Sequence, residues 1–290
     1  MGHNWDEELQ FLINVRKDWC NSDYIEFLID KVWRITKPIN IVDFGCGYGY
    51  LCDLLMPLLP KGSTYTGIDK SKELLNFAEK HLSSYCFDVE LICADLNEYV
   101  PMKKYDLAIS QAVLRHIPQP MNILKKMTEA VVDDGWVICF EGDRPIEDAG
   151  FYSSDIDYRD MNQSLLFQKM WSYEYNNGGR DYRTGIKIPQ YMQQIGLKDI
   201  GVRMNDAVKF INPMDSEYES KFDAFVEHKG YYSILDNNDS KTFRTNKGLT
   251  LSEQQEFNQN EKNIAETILE NKGKGFILQA PCILISYGKK

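Results

Sequence analysis

The chain's 290 residues carry a formal net charge of −10 with a sequence pI near 5.0, which argues against a broad phosphate-binding face and against large nucleic acids as substrates. No apolar stretch is long enough to span a bilayer, and Met1 to Gln10 is polar without a signal-peptide pattern, so a cytoplasmic protein that does not enter a membrane is expected. The seven cysteines include no Cys-x-x-Cys pair, which points away from disulfides and from a zinc site.

In chain order, Asn4 to Ile35 reads as two helices capping the core (residues 1–35), with Asn21, Ser22 and Asp23 as an N-cap cluster. A short apolar run then leads into Asp43-Phe44-Gly45-Cys46-Gly47-Tyr48-Gly49, and Tyr50 to Leu59 reads as a helix, so the glycines form a strand-to-helix turn. Alternate glycines let backbone pass close to a ligand, and a carboxylate at Asp43 can accept from a bound amine; a tight turn without a ligand fits the glycines alone equally well. A second run, Thr64 to Ile68, ends at Asp69 and Lys70, where a doubly wound sheet carries the carboxylate that grips a ribose diol. Val89 to Cys93 is a third strand, followed by Ala94-Asp95-Leu96, in which Asp95 could also cap a short helix. Tyr105 to Ser110 is the fourth, running into Gln111 and on to Pro120.

Gly135 to Glu141 is expected as a fifth strand, Pro189 to Ile195 as a helix closed by Gly196, and Leu197 to Met204 as a sixth strand. A last strand should lie within Cys282 to Tyr287, with Pro281 marking its start. Strands alternating with helices predict an α/β, doubly wound, mostly parallel sheet. One domain with elaborations results: an α/β core over 36–204 holding an aromatic insertion at 144–187, a helical insertion at 205–274 that opens the last hairpin, and a closing strand within 275–290. Ser252 and Gln255 have capping-box spacing for a helix in the later insertion that stops near Gly273; its apolar stripe, including Phe257, Ile264, Ile268 and Leu269, suits packing. The earlier insertion is rich in aromatics, among them Trp171, Tyr173, Tyr175 and Tyr182, and reads as a wall of a substrate pocket or as a structural cluster.

The nicotinamide fingerprint Gly-x-Gly-x-x-Gly would need glycine at Tyr50. Asp43-x-Gly45-x-Gly47-x-Gly49 instead resembles motif I of the class I S-adenosylmethionine-dependent methyltransferases, and the resemblance covers roughly Thr36 to Met204. It implies a seven-stranded Rossmann-like sheet with an antiparallel last strand and S-adenosylmethionine as cofactor. Asp43 and Gly45 would face the methionine part and Asp69 the ribose, while Asp95 would accept from the adenine amine and the Leu96 amide would meet a ring nitrogen. Cys46, Gly47, Gly49, Lys70, Ser110 and Gln111 would complete the site. Leu114, His116 and Pro118 resemble the segment after strand four in the family's small-molecule branch, with Arg115 where a second histidine is common. The Asn-Pro-Pro-Tyr type of motif is absent; Ser110-Gln111-Ala112-Val113 stands there. His116, Glu141 and Asp143, near carboxyl ends of strands, are candidate bases, and each has a structural reading beside the catalytic one. The expected activity is in-line methyl transfer to a small organic acceptor, achieved mainly by positioning. A nicotinamide-dependent oxidoreductase and a catalytically silent cofactor-binding protein are the alternatives.

Overall fold

The computed structural model describes residues 9, 12, 13, 19–161, 164–236 and 248–290, so most of the first expected helix lies outside the described residues. Helix α1 (Ser22–Phe27) runs on into a π-helical turn, Leu28–Trp33. Asn21 occupies its N-cap position, but the Asn21 carboxamide donates to the Asp206 carboxylate (2.8 Å) and does not cap.

Apolar residues then alternate with turn signals to give β1 (Asn40–Phe44), α2 (Tyr50–Leu55), β2 (Thr64–Asp69), α3 (Lys72–Leu82) and β3 (Asp88–Cys93). There follow β4 (Tyr105–Gln111), α4 (Pro120–Ala130), β5 (Val131–Gly142), α5 (Arg144–Ala149), β6 (Phe151–Ser153) and α6 (Ser164–Asn176). The chain continues through α7 (Thr184–Gln194), β7 (Lys198–Met204), β8 (Lys209–Ile211), α8 (Tyr218–Lys229) and α9 (Tyr231–Leu235), and ends with α10 (Leu251–Glu270), β9 (Ile277–Gln279) and β10 (Ile283–Lys289). It divides into two compact units, 1–143 with 183–206 and 283–290, and 144–182 with 207–282.

In the first unit seven strands pair in the order β3-β2-β1-β4-β5-β10-β7. β1, β2, β3, β4 and β5 are mutually parallel, whereas β10 runs antiparallel to both β5 and β7. Val42, Phe44, Ala108, Ile109, Ile138 and Phe140 are all buried, as two helix-covered faces require of central parallel strands. The order reverses between β1 and β4, so the crevice beyond their carboxyl ends is where an open sheet of this kind takes its ligand. None of the seven cysteines is disulfide-bonded.

The last strand runs on to Lys289 and α2 stops at Leu55, short of the expected Leu59, and three further boundaries differ from expectation. β5 begins at Val131, because the polar stretch before Gly135, which resembles a turn, stays in the strand with Asp134 at φ +62°. α7 begins at Thr184, so Pro189 lies inside the helix; its missing N–H removes only the bond to the Gly185 carbonyl. The capping box of α10 lies two residues before the expected one, with Thr250 at the N-cap and Glu253 completing the box.

The second unit collects both insertions. Its three-stranded antiparallel sheet has the order β6-β9-β8, and residues 275–282, expected with the closing strand, belong to it. Buried Phe222, Phe225, Val226, Ile264, Ile268 and Ile277 form its core. A ladder of rings runs through it: Phe257 meets Phe167 edge-on with centroids 5.2 Å apart, Phe167 stacks on Trp171 at 5.4 Å, and Trp171 stacks on Tyr182 at 5.8 Å. The Arg180 guanidinium lies 5.6 Å from the Tyr182 centroid. Among the described residues no helix is long and apolar enough to cross a membrane.

Candidate functional site

The turn between β1 and α2 needs its glycines for conformation and for space. Gly45, Gly47 and Gly49 have φ of +83°, +55° and +88°, a region that disfavours side chains. A Cβ on Gly45 would lie 2.4 Å from Val113 Cγ2, and one on Gly49 would lie 2.9 Å from Leu82 Cδ1. The amides of Gly45 and Cys46 both donate to the Ile68 carbonyl (2.8 and 2.9 Å), which ties the turn to the end of β2. Cys46 itself is buried.

Two carboxylates flank this turn. Asp43, 1% exposed, accepts from the Tyr65 hydroxyl at 2.5 Å. Tyr65 pairs in register with Ile41, so it reaches Asp43 diagonally across the β1–β2 ladder; burial first, then the Asp43 charge, pushes its phenol well above the usual value. Asp69 ends β2 half-buried, with one oxygen accepting from the Gly47 amide (2.9 Å) and the other from the Ser71 amide (2.9 Å). Ser71 in turn caps α3 through the Leu74 amide (3.1 Å). The Asp69 carboxylate is therefore oriented by backbone yet keeps lone pairs for a ligand. Lys70, beside it, is exposed.

Beyond β3, the Ala94 amide bonds the Asp69 carbonyl (2.9 Å), which sets the next turn against the last. Asp95 is half-buried and Leu96 buried; Asp95 Oδ1 accepts from the Asn97 amide (2.8 Å) and carboxamide (2.9 Å). This Asx-type turn replaces the helix cap that Asp95 could equally have made.

At the end of β4, Ser110 and Gln111 are buried, and Gln111 Oε1 has no hydrogen-bond partner among the described residues although the residue is only 3% exposed. A buried amide oxygen of this kind is costly unless a ligand or water satisfies it. His116 follows, half-buried, on the 3-10 turn Leu114–His116.

Glu141, expected as a candidate base, has a different task. Its carboxylate is wholly buried and one oxygen accepts from the Val113 (2.8 Å) and Leu114 (2.6 Å) amides, while Arg115 Nε lies 3.6 Å from the other. Burial raises its carboxyl above the usual range against the opposing pull of Arg115 and those amides. It fixes the turn that carries His116, and no face of it is open to an acceptor. Asp143 is buried as well, with Arg183 Nε 3.4 Å from its carboxylate.

The turns bearing Asp43, the glycines, Asp69, Asp95, Ser110 and Gln111 thus all lie at carboxyl ends of adjacent strands. Tyr65 escaped sequence reasoning; the available signal was a tyrosine inside an otherwise small, apolar strand, one pleat away from an aspartate.

A family model for a methyltransferase domain matches residues 11–202. The chain belongs to the class I S-adenosylmethionine-dependent methyltransferase family. The ubiquinone biosynthesis O-methyltransferase of Hydrogenovibrio crunogenus is 30% identical over 135 residues, covering 46% of this chain and 53% of that protein. The demethylmenaquinone methyltransferase of Bacillus licheniformis is 29% identical over 198 residues, covering 63% of this chain and 84% of that protein. Among solved structures, the plantazolicin methyltransferase BpumL in complex with SAH is 16% identical, with coverage of 99% of this chain and 87% of that one and a TM-score of 0.49. The chain spans about half the length of the first two curated relatives it matches, 53% and 55%. The strand-end cradle suits the family's cofactor: it offers carboxylates at two successive strand ends, a glycine turn of positive φ between them, and an unsatisfied buried amide at a third strand end.

Proposed function

We propose that this methyltransferase-family protein transfers a methyl group from S-adenosylmethionine to a small organic acceptor in the cytoplasm. The observation that carries the reading is Asp69: its carboxylate is held by two backbone amides at the end of β2 and is half-buried, at the strand end where a doubly wound sheet grips a ribose diol. Asp43 and Gly45 would take the methionine end, with Gln111 Oε1 accepting from a ligand N–H, and Asp95 with the Leu96 amide would take adenine. Cys46, Gly47, Gly49, Lys70 and Ser110 would line the same site.

The sulfonium, when bound, supplies an already activated methyl group, so the protein's task is to align the acceptor and exclude water. His116 is the candidate for accepting a proton from the acceptor, held in place by the Glu141 turn.

The aromatic insertion at 144–187 is our candidate for acceptor recognition. Trp171 and Tyr182 are half-buried there, whereas Tyr173 and Tyr175 are exposed. Transfer of a labelled methyl group from S-adenosylmethionine to a component of a metabolite extract tests the activity. With the acceptor known, replacing the exposed Tyr173 and Tyr175 with alanine should raise its KM by about fivefold, an order of magnitude set by one aromatic contact, with cofactor affinity unchanged. No transfer to any extract, together with intact cofactor binding, would favour a silent binding protein.

A further inference from the structure

The turn after β3 is closed from within by Asp95, whose carbonyl accepts from the Glu98 (3.0 Å) and Tyr99 (2.8 Å) amides while its Oδ1 takes both donors of Asn97. That closure brings the carbonyls of Leu96, Asn97 and Tyr99 around one point. Lys126, half-buried on α4, places its ammonium there and donates to Leu96 O at 2.8 Å, to Tyr99 O at 3.1 Å and to Asn97 O. An ammonium has three donors, and here each meets a main-chain carbonyl of the same turn. None of these partners is a carboxylate, so this is a fastening of backbone and not an ion pair. Lys125, the neighbouring lysine, is exposed.

We propose that Lys126 is a positioning residue for the adenine half of the cofactor: by fastening the 96–99 carbonyls it fixes where the Asp95 carboxylate and the Leu96 amide stand. The inference rests on the reading of Asp95 and Leu96 given above. The mechanics are direct. With Asp95 Oδ1 committed to Asn97, Oδ2 is the oxygen left for the adenine amine, and its position is set by the turn. The Leu96 amide belongs to the residue whose carbonyl the ammonium holds, so release of Lys126 frees both adenine contacts at once. The ribose and methionine contacts lie in other turns, anchored by Gly47, Ser71 and Tyr65, and should not respond.

The test is calorimetric titration of the full chain and of K126M, K126Q and K126R with S-adenosylhomocysteine and with S-ribosylhomocysteine, which keeps the ribose and amino-acid parts and lacks adenine. K126M and K126Q should lose about tenfold in affinity for S-adenosylhomocysteine, the order of one charge-assisted hydrogen bond, with S-ribosylhomocysteine affinity unchanged. K126R, which keeps cationic donors, should recover most of the loss. Equal losses for both ligands, or no loss for either, would overturn the positioning role. Should the unsubstituted protein bind S-ribosylhomocysteine and not gain from the adenine, the assignment of Asp95 and Leu96 falls first and this inference falls with it.

Discussion

Two carboxylates at strand ends do the same backbone work in opposite surroundings. Asp69 after β2 and Glu141 near the end of β5 each accept from two main-chain amides and so fix a turn beside the sheet's ligand crevice. Asp69 spreads its two bonds over both oxygens and remains half-buried, whereas Glu141 puts both on one oxygen, faces Arg115 with the other, and is wholly buried. The same side-chain chemistry therefore yields a partly solvent-accessible group in one place and an internal strut in the other. What separates them is solvent access, a property of packing that no local spacing reports.

Removing the strut should have the larger effect. Glu141→Ala leaves the Val113 and Leu114 amides without their acceptor and deletes a buried partner of Arg115, which should lower unfolding free energy by about 3 kcal/mol or more in a urea titration. Glu141→Gln should cost less, because it keeps an acceptor oxygen. The pH dependence has a definite sign. Burial raises the folded carboxyl above its ordinary value of 4.5, so the folded chain holds that proton more tightly than the unfolded one. Its contribution is then complete below about pH 4.5 and is lost as pH rises through the folded value, and Glu141→Gln should flatten that decline. A Glu141→Ala variant as stable as the parent would show the carboxylate to be dispensable to the turn.

The half-buried member should behave in the opposite way. Asp69→Ala is expected to unfold like the parent within about 1 kcal/mol, since the site is half-buried, yet to lose at least about tenfold in affinity for S-adenosylhomocysteine. Loss of stability with unchanged affinity would turn Asp69 into a second strut and erase the contrast. Smallest of the three is Tyr65→Phe, which removes the hydroxyl that Tyr65 donates to Asp43 and keeps the ring in the core. A loss of roughly fivefold in cofactor affinity is expected, the scale of one hydrogen bond. An affinity equal to the parent's would mean Asp43 needs no help to stay oriented.

How far the sequence carried this picture depended on how local each feature is. Asp43, the three glycines and Asp69 lie in short runs where apolar residues meet turn residues, and the strand ends they mark are where the structure has them. Glu141 was visible as a strand-end acid, but its burial depends on the 113–116 turn closing over it, contacts made far apart in the chain. The capping box of α10 was misplaced because Ser252/Gln255 and Thr250/Glu253 both fit the spacing, and only the extended backbone at Thr250 selects one. Pro189 suggested a helix start because a proline suits a first turn, whereas α7 accepts it one turn further in at the expense of a single bond. The β6-β9-β8 sheet was hidden altogether: it joins Phe151–Ser153 to Ile277–Gln279 and Lys209–Ile211, three-residue strands too short to show a period and far apart in the chain.

The central claim, that the strand-end cradle around Asp69 takes the family's methyl donor, is tested most directly by isothermal calorimetry of the unsubstituted protein against S-adenosylmethionine, S-adenosylhomocysteine and the nicotinamide dinucleotides. Saturable one-to-one binding of both methyl-cycle ligands, with no comparable response to either dinucleotide, is the result predicted here. Binding of a dinucleotide with no heat from S-adenosylmethionine or S-adenosylhomocysteine would contradict it.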